Sequence, residues 1–369
     1  MILRGKIILL FITALIFILT PFSVYAERGN LAEEFQVNLY RARVLGVADE
    51  IIIRDTTVQV LNIRILNGDL RGNEATIRNT IVDSPDAIRL RTGDRISVHM
   101  ELNADNEVVF FFQNYDRTGP IAFLFIFFAL CVIALGRIKG VKALVALTLT
   151  IGLIMFGLVP LLLRGHNPII LSILTCMIAA VITFGICFGT GKKSVSAIIG
   201  VSGGLLVGGV IAYLFGIFAR ITGFAHGDAQ MLQYLPGGYS FDFRGLLFAG
   251  IIIGALGACM DVAISISSAL MEIKTHNPTI GKKELIQSGF NIGKDIMGSM
   301  VNTLVLAYTG SSLATILIFV GFERGFIEII NLDSIATEVV RAIAGSLGLL
   351  FAIPITVFAF ILLDKKWRR

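Results

Sequence analysis

The chain has 369 residues, of which 55% are hydrophobic and only 15% are charged. Soluble domains are typically about 45–50% apolar and about 25% charged, so this composition argues against an ordinary soluble protein. The net charge of +5 does not indicate a nucleic-acid-binding protein. Its Lys and Arg residues lie in short segments between apolar blocks, where membrane topology explains them better.

The N-terminal residues 1–26 have the pattern of a secretory signal peptide. Arg4 and Lys6 precede an apolar stretch over residues 7–19, Pro21 ends that stretch, and Ala26 closes a small-residue cleavage pattern. The alternative is an uncleaved signal anchor. Both interpretations place the following residues outside the cytoplasm.

Residues 27–118 are polar and have strand patterns, and they predict a small all-β domain. The predicted strands are Val37–Val47, Thr57–Leu66, Glu74–Val82, Arg95–Leu102 and Val108–Tyr115. Turn signals separate these β-branched and aromatic runs. About five short strands favour an OB-like or SH3-like barrel, a candidate site for an extracytoplasmic ligand or protein. Phe110, Phe111 and Phe112 are consecutive, so we expect them to point to both faces of their strand.

Residues 119–363 contain apolar blocks long enough to be transmembrane helices. About seven spans are predicted, at 119–136, 141–163, 169–189, 195–218, 245–271, 295–320 and 338–363. Most Lys and Arg residues lie in alternate connections and in the basic tail 364–369. The positive-inside rule then predicts that the β-domain is outside and the C-terminus is cytoplasmic.

The fourth span carries small residues at every fourth position, which we call the glycine stripe. The stripe consists of Gly200, Gly204, Gly208, Ala212 and Gly216. Small residues on one side of a membrane helix allow a close approach of a second helix. That second helix belongs either to the same chain or to another protomer or membrane subunit.

Two spans carry polar residues on one side, which is costly within a bilayer and therefore indicates function. The polar face of the fifth span contains Asp261, Ser265, Ser268 and Glu272. The polar face of the sixth contains Asn291, Lys294, Asp295, Ser299 and Asn302. Spacings of three and four residues align each set on one helical face.

These two faces have two interpretations. If Glu272 and Asn291 are level, Asp261 meets Asn302 near the middle of the membrane, and a polar path leads there from the cytoplasm. Carboxylate, amide and hydroxyl oxygens suit hard cations or protons. Alternatively, the same groups hydrogen-bond the two helices together.

Other motifs do not favour an enzyme or a cofactor-dependent protein. The segment Gly189–Ser194 lacks the spacing of a phosphate-binding loop, and no HExxH zinc motif is present. The four cysteines lie in apolar blocks and do not predict a metal site or disulfides. Asp261 and Asp295 raise the question of an intramembrane aspartyl protease, but their flanking residues do not fit one.

Three stretches of the helical region form a long and specific run of motifs: GALGACMDVA at 254–263, IGKDIMG at 292–298 and NTLVLAY at 302–308. Through these motifs the sequence resembles the YibE/F-like family of bacterial multi-spanning membrane proteins, and the resemblance covers about residues 120–363. It implies a permease-like membrane protein in the bacterial cell membrane, without an established substrate. The leading hypothesis is a transporter or transporter component, and the alternative is a membrane scaffold or envelope-assembly protein that binds a partner through the β-domain.

Overall fold

The computed structural model describes residues 38–53, 56–82, 88–102, 108–225, 227–235 and 239–364. The predicted signal peptide and residues 365–369 of the basic tail lie outside these described residues. The described chain divides into two compact units, one ending at Cys131 and the other beginning at Val132.

The N-terminal unit contains a closed five-stranded barrel. Its strands are β1 (Asn38–Ile53), β2 (Thr56–Ile65), β3 (Glu74–Val82), β4 (Arg95–Leu102) and β5 (Val108–Tyr115). They follow the order β1-β2-β3-β5-β4, and all pairs are antiparallel except β3–β5. The predicted small barrel is thereby confirmed.

Strand β1 is longer than the predicted strand, which ended at Val47. It continues to Ile53, which pairs with Thr56 of β2. The register between β1 and β2 shifts at Val44/Gly46 and again at Val47/Asp49. Such bulges interrupt the alternation of inward and outward side chains, so the sequence pattern stops before the strand does.

Among the described residues, the interior of the barrel is apolar apart from one polar pair. Phe110 is buried and Phe111 is exposed, as their neighbouring positions predict. Gln59 and Asn79 are also buried. The Gln59 Oε1 atom accepts hydrogen bonds from the Leu90 backbone N–H (3.0 Å) and from Asn79 Nδ2 (3.2 Å), so this polar pair is satisfied.

The remainder of the described chain is helical. The helices are α1 (Thr118–Gly152), α2 (Val159–Leu163), α3 (Pro168–Phe188), α4 (Lys192–Phe218), α5 (Gly227–Met231), α6 (Phe243–His276), α7 (Lys282–Ser311), α8 (Leu313–Gly321), α9 (Phe326–Ile330) and α10 (Asp333–Leu363). A π-helical segment, Leu153–Leu158, joins α1 to α2, and a 3-10 turn, Leu232–Tyr234, follows α5.

The long helix α1 is interrupted at Arg137. The backbone there has φ 48° and ψ −128°, which is not helical. A Cβ atom placed on Gly140 would overlap the carbonyl oxygen of Val132. In a continuous helix these two residues would be about 12 Å apart, so the chain turns back at Arg137.

Among the described residues, five helical stretches are long and apolar enough to cross a membrane, by length and composition. They are Thr118–Leu163, α3, α4, α6 and α10. Helices α7 and α8 pass the same test only as a pair, with a bend of 59° at their junction. Several long apolar helices of this kind are compatible with a membrane protein.

The sixth predicted span, 295–320, is not one continuous helix. Its helix breaks at Ser312, and α7 begins before the predicted span, at Lys282. The break follows Thr309, Gly310 and Ser311, which are poor helix formers. Residues 277–281 link α6 to α7.

Helix α6 lies at the centre of the helical unit, where it packs against α3, α4, α7 and α10. Ile252, Cys259 and Ile266 on its inner side are fully buried. Because α6 has neighbours on most sides, a single side of it remains exposed.

Candidate functional site

The glycine stripe of α4 is buried within the chain and packs mainly against α10. A Cβ atom on Gly204 would come within 2.6 Å of the Gly348 carbonyl oxygen, and one on Gly208 within 3.1 Å of the Ala344 carbonyl oxygen. A Cβ atom on Gly200 would overlap Thr356. At the other end, Ala212 and Gly216 pack against Phe248 of α6.

The partner stripe on α10 was missed at the sequence level. It consists of Ala344, Gly348, Ala352 and Thr356, again four residues apart. Gly348 in turn lies against Gly208, where a Cβ atom would come within 3.3 Å of the Gly208 Cα. The same four-residue spacing that revealed the α4 stripe was available for α10.

The polar face of α6 lies on its exposed side. Asp261, Ser265 and Glu272 are exposed, and Ser268 is half-buried. Gly254 and Gly257 are on the same exposed side. The one exposed side of the central helix therefore carries small and polar residues rather than large apolar ones.

The polar face of α7 is also exposed. All of its members, Asn291, Lys294, Asp295, Ser299 and Asn302, are exposed. The opposite side of the helix, which includes Gly293, Met297, Met300 and Leu304, packs against the core. Helix α7 thus turns its apolar side inward and its polar side outward.

The structure does not bring the two polar faces into contact. Ser268 and Ser299 donate hydrogen bonds to carbonyl oxygens of their own helices, and Glu272 pairs with His276 at 2.8 Å. Within the part of the chain that the structure describes, no hydrogen bond or ion pair joins a residue of one polar face to a residue of the other.

The relative register of α6 and α7 also differs from the one assumed from the sequence. Gly289 lies beside Leu270, and Gly293 lies beside Ile266. For antiparallel helices this places Asp261 level with Gly298, about one turn from Asn302. The sequence-based register paired Asp261 with Asn302 because it set Glu272 level with Asn291.

The contact between α6 and α7 is apolar. Met297, Met300 and Val301 of α7 pack against the same core as Ile264 and Met271 of α6. A polar contact between helices is found elsewhere, where the hydroxyl groups of Ser196 on α4 and Ser267 on α6 lie 3.0 Å apart. The polar faces are therefore not the groups that hold α6 and α7 together.

One end of the helical unit is held by a buried carboxylate that the sequence did not single out. Asp364, which follows α10, lies 2.9 Å from Lys192 Nζ at the start of α4 and 3.7 Å from Lys274 Nζ near the end of α6. Only 7% of Asp364 is exposed. Asp364 thereby joins the start of α4, the end of α6 and the end of α10 at one end of the helical unit.

A second buried charged pair lies within α10. The Glu338 carboxylate is 2.9 Å from Arg341 Nη1, and Glu338 is only 9% exposed. A spacing of three residues places the two side chains on one side of the helix, so they offset each other's charge within the chain.

An open cavity of about 230 Å³ lies beside the turn between α2 and α3. His166, Asn167, Ser240 and Asp242 contribute its polar lining. Asn167 and Asp242 already accept hydrogen bonds from the first backbone N–H groups of α3 and α6. Their side-chain oxygens therefore act as helix caps.

A helical unit of long apolar helices, preceded by a small β-barrel, is the architecture of a membrane-type protein with an N-terminal β-domain. The family described as YibE/F-like protein matches residues 124–366, and the chain belongs to this family. The match covers more than half of the chain and begins after the barrel, which confirms the resemblance inferred from the sequence. No curated protein and no solved structure matches the chain.

Proposed function

We propose that this chain is a permease-like transporter or transporter component whose polar path runs along the polar faces of α6 and α7. One observation carries the proposal: polar side chains are aligned on two neighbouring helices of a membrane-type unit, and none of them joins those helices. Since the α6–α7 contact is apolar, these groups remain available to water, ions or a solute.

The chemistry of the two faces supports a hard cation or a proton as the species carried. Asp261 and Asp295 supply carboxylates, and the neighbouring serine and asparagine side chains supply neutral oxygens. A charged residue at the centre of a membrane helix costs about 2.5–3.5 kcal/mol on insertion scales. Carboxylates retained in such helices are therefore expected to act in function.

The proposed topology has seven spans in the bacterial cytoplasmic membrane, with the barrel outside and the C-terminus in the cytoplasm. The reversal at Arg137 supports two spans within Thr118–Leu163, and the bent pair α7–α8 supplies one more. The contact of Asp364 with Lys192 and Lys274 supports a common side for three segments that the positive-inside rule assigns to the cytoplasm.

Replacing Asp261 by Asn tests the proposal, since this change preserves shape and removes the charge. We expect the variant to reach the membrane in normal amounts and to lose ion flux or proton coupling in proteoliposomes. Asp228→Asn, on the short exposed helix α5, is the matched control and should leave flux unchanged. Wild-type flux equal to that of empty vesicles for every tested ion and solute would refute transport by this chain alone.

A scaffold function is the second candidate, and a surface on the barrel favours it. Leu39 pairs with His99, and His99 pairs with Phe111, so the three residues form a row across β1, β4 and β5. The rings of His99 and Phe111 stack at 5.3 Å, and Leu39 is 51% exposed. The strand order 1-2-3-5-4 is that of OB-type barrels, which bind oligomeric ligands.

The two candidates differ in what each requires. A scaffold would tolerate Asp261→Asn and would lose function when residues 38–115 are deleted. Transport through the helical unit instead predicts that Asp261→Asn loses function. Comparing the two variants in one complementation assay, with membrane abundance measured by immunoblot, decides between them.

A further inference from the structure

The polar face of α7 has no partner that the described chain supplies. Its members are exposed, and the opposite side of α7 is the side that packs against the core. Exposure of Lys294 and Asp295 to lipid is unfavourable, because charged side chains are costly within a bilayer. This face therefore requires either water or a polar surface of another chain in front of it.

We propose that a second copy of this chain covers the polar face of α7, so that two α7 helices pack against each other in a symmetric dimer. Copies inserted in the same orientation are related by a two-fold axis along the membrane normal, and residues of equal depth then meet across that axis.

The charges of the polar face are complementary to those of the same face in a second copy. Lys294 and Asp295 are neighbours in sequence, so they point about 100° apart and do not face each other within one helix. They lie on opposite flanks of the face, as e and g positions do in a parallel coiled coil, where flank residues pair between helices. Their depths differ by only about 1.5 Å, so Lys294 faces Asp295 of the partner subunit, and the pair occurs twice.

The centre of the face also suits a close contact between two identical helices. Asn291, Gly298 and Asn302 fall within about 40° of one another around the helix. A Cβ atom on Gly298 would meet nothing within 4 Å, so the space in front of it is open. A small residue at this position allows close approach, and asparagines at the centre can hydrogen-bond to their counterparts across the axis.

A dimer of this kind would place the polar path between two copies, and this placement of the path rests on the proposed function. The dimer contact itself follows from exposure and charge, and it holds whether or not the chain carries a solute. Transport and dimerisation are therefore open to separate tests.

Disulfide cross-linking of the full-length chain in membranes tests the contact. Cys131, Cys176, Cys187 and Cys259 are first replaced by alanine, and Asn302→Cys is introduced. Two controls accompany it. Met300→Cys lies on the side of α7 that packs against the core. The second control is Val210→Cys, because Val210 is 56% exposed on α4. Gly293 of α7 contacts Ile353 of α10, and Gly208 of α4 contacts Ala344 of α10. Counting along α10 between these two contacts places Val210 at about the depth of Asn302.

On mild oxidation, we expect Asn302→Cys to shift from monomer to dimer on a non-reducing gel, while both controls remain monomeric. Equal cross-linking at Asn302 and Val210 would mean random collision and would overturn the proposal. Monomeric Asn302→Cys under conditions that oxidise a solvent-exposed cysteine would overturn it as well.

Charge reversal provides a measurement that does not depend on cysteine geometry. Lys294→Asp and Asp295→Lys should each lower the dimer fraction of the protein in lipid nanodiscs, and the double variant should restore it. Failure of the double variant to restore dimers would contradict the pairing. If the protein forms dimers but shows no ion flux, the transport proposal fails and the dimer proposal stands. If a monomer carries ion flux, the dimer proposal fails and the transport proposal stands.

Discussion

At the residue scale, the charged group Asp364 joins segments of the helical unit that are distant in sequence. It is buried, and it contacts two lysines from other helices. In the sequence it precedes Lys365 and Lys366, so it looks like the first residue of a basic tail. The sequence gives no sign that a long-range ion pair forms there, because its partners are separated from it by most of the helical unit.

Replacing Asp364 by Asn removes the negative charge between Lys192 and Lys274. Hydrogen bonds to charged groups contribute about 1.5–3 kcal/mol, so we expect the free energy of unfolding to fall by an amount in this range. Thermal unfolding of the detergent-solubilised protein measures the loss as a lower melting temperature.

The control for this change is Glu328→Gln, which removes the exposed ion pair between Arg324 and Glu328. Exposed pairs contribute about 0–1 kcal/mol, so the melting temperature should move little. A similar melting temperature for both variants would show that burial of Asp364 has no stabilising consequence.

At the element scale, local patterns predicted the barrel strands closely and the helix ends less well. Strands β3, β4 and β5 have the predicted bounds because turn residues lie close to their ends. Residues 282–294 of α7 lie before the predicted sixth span because they are rich in charged and polar residues, and a search for apolar runs passes over such a segment. The periodicity revealed the polar faces of α6 and α7, but periodicity alone does not determine which side of a helix meets its neighbour.

The crossing of α4 and α10 gives the sharpest prediction about packing. Ala in place of Gly204 would put a methyl group within 2.6 Å of the Gly348 carbonyl oxygen and within 2.7 Å of Ala352 Cβ. Overpacking typically costs about 1–3 kcal/mol, so we expect a clearly lower melting temperature.

Gly185→Ala on α3 is the matched control, because a Cβ atom there meets nothing within 4 Å. An interior helical glycine is less favourable than alanine by about 0.5–1 kcal/mol, so this variant should be equally stable or slightly more stable. If Gly204→Ala were as stable as Gly185→Ala, the close packing of α4 against α10 would be wrong.

At the scale of the whole molecule, the chain combines a β-barrel with a helical unit that belongs to the YibE/F-like family. The sequence predicted both parts, because composition and periodicity change sharply near residue 119. It did not predict that the polar faces of α6 and α7 point away from the core, since this depends on the packing of α7 against α6 and α10. That orientation makes the polar groups available to solute, and it is the central claim of the proposed function.

Cysteine accessibility along α7 tests this claim most directly. Single cysteines at each position from Asn291 to Thr303, in a chain without native cysteines, are exposed in membranes to a water-soluble thiol reagent. A hydrated polar face predicts reaction at positions 295 and 299, which flank the proposed dimer contact, and protection at 292, 296, 297 and 300. Protection at all positions, or reaction without helical periodicity, would contradict a polar path along α7.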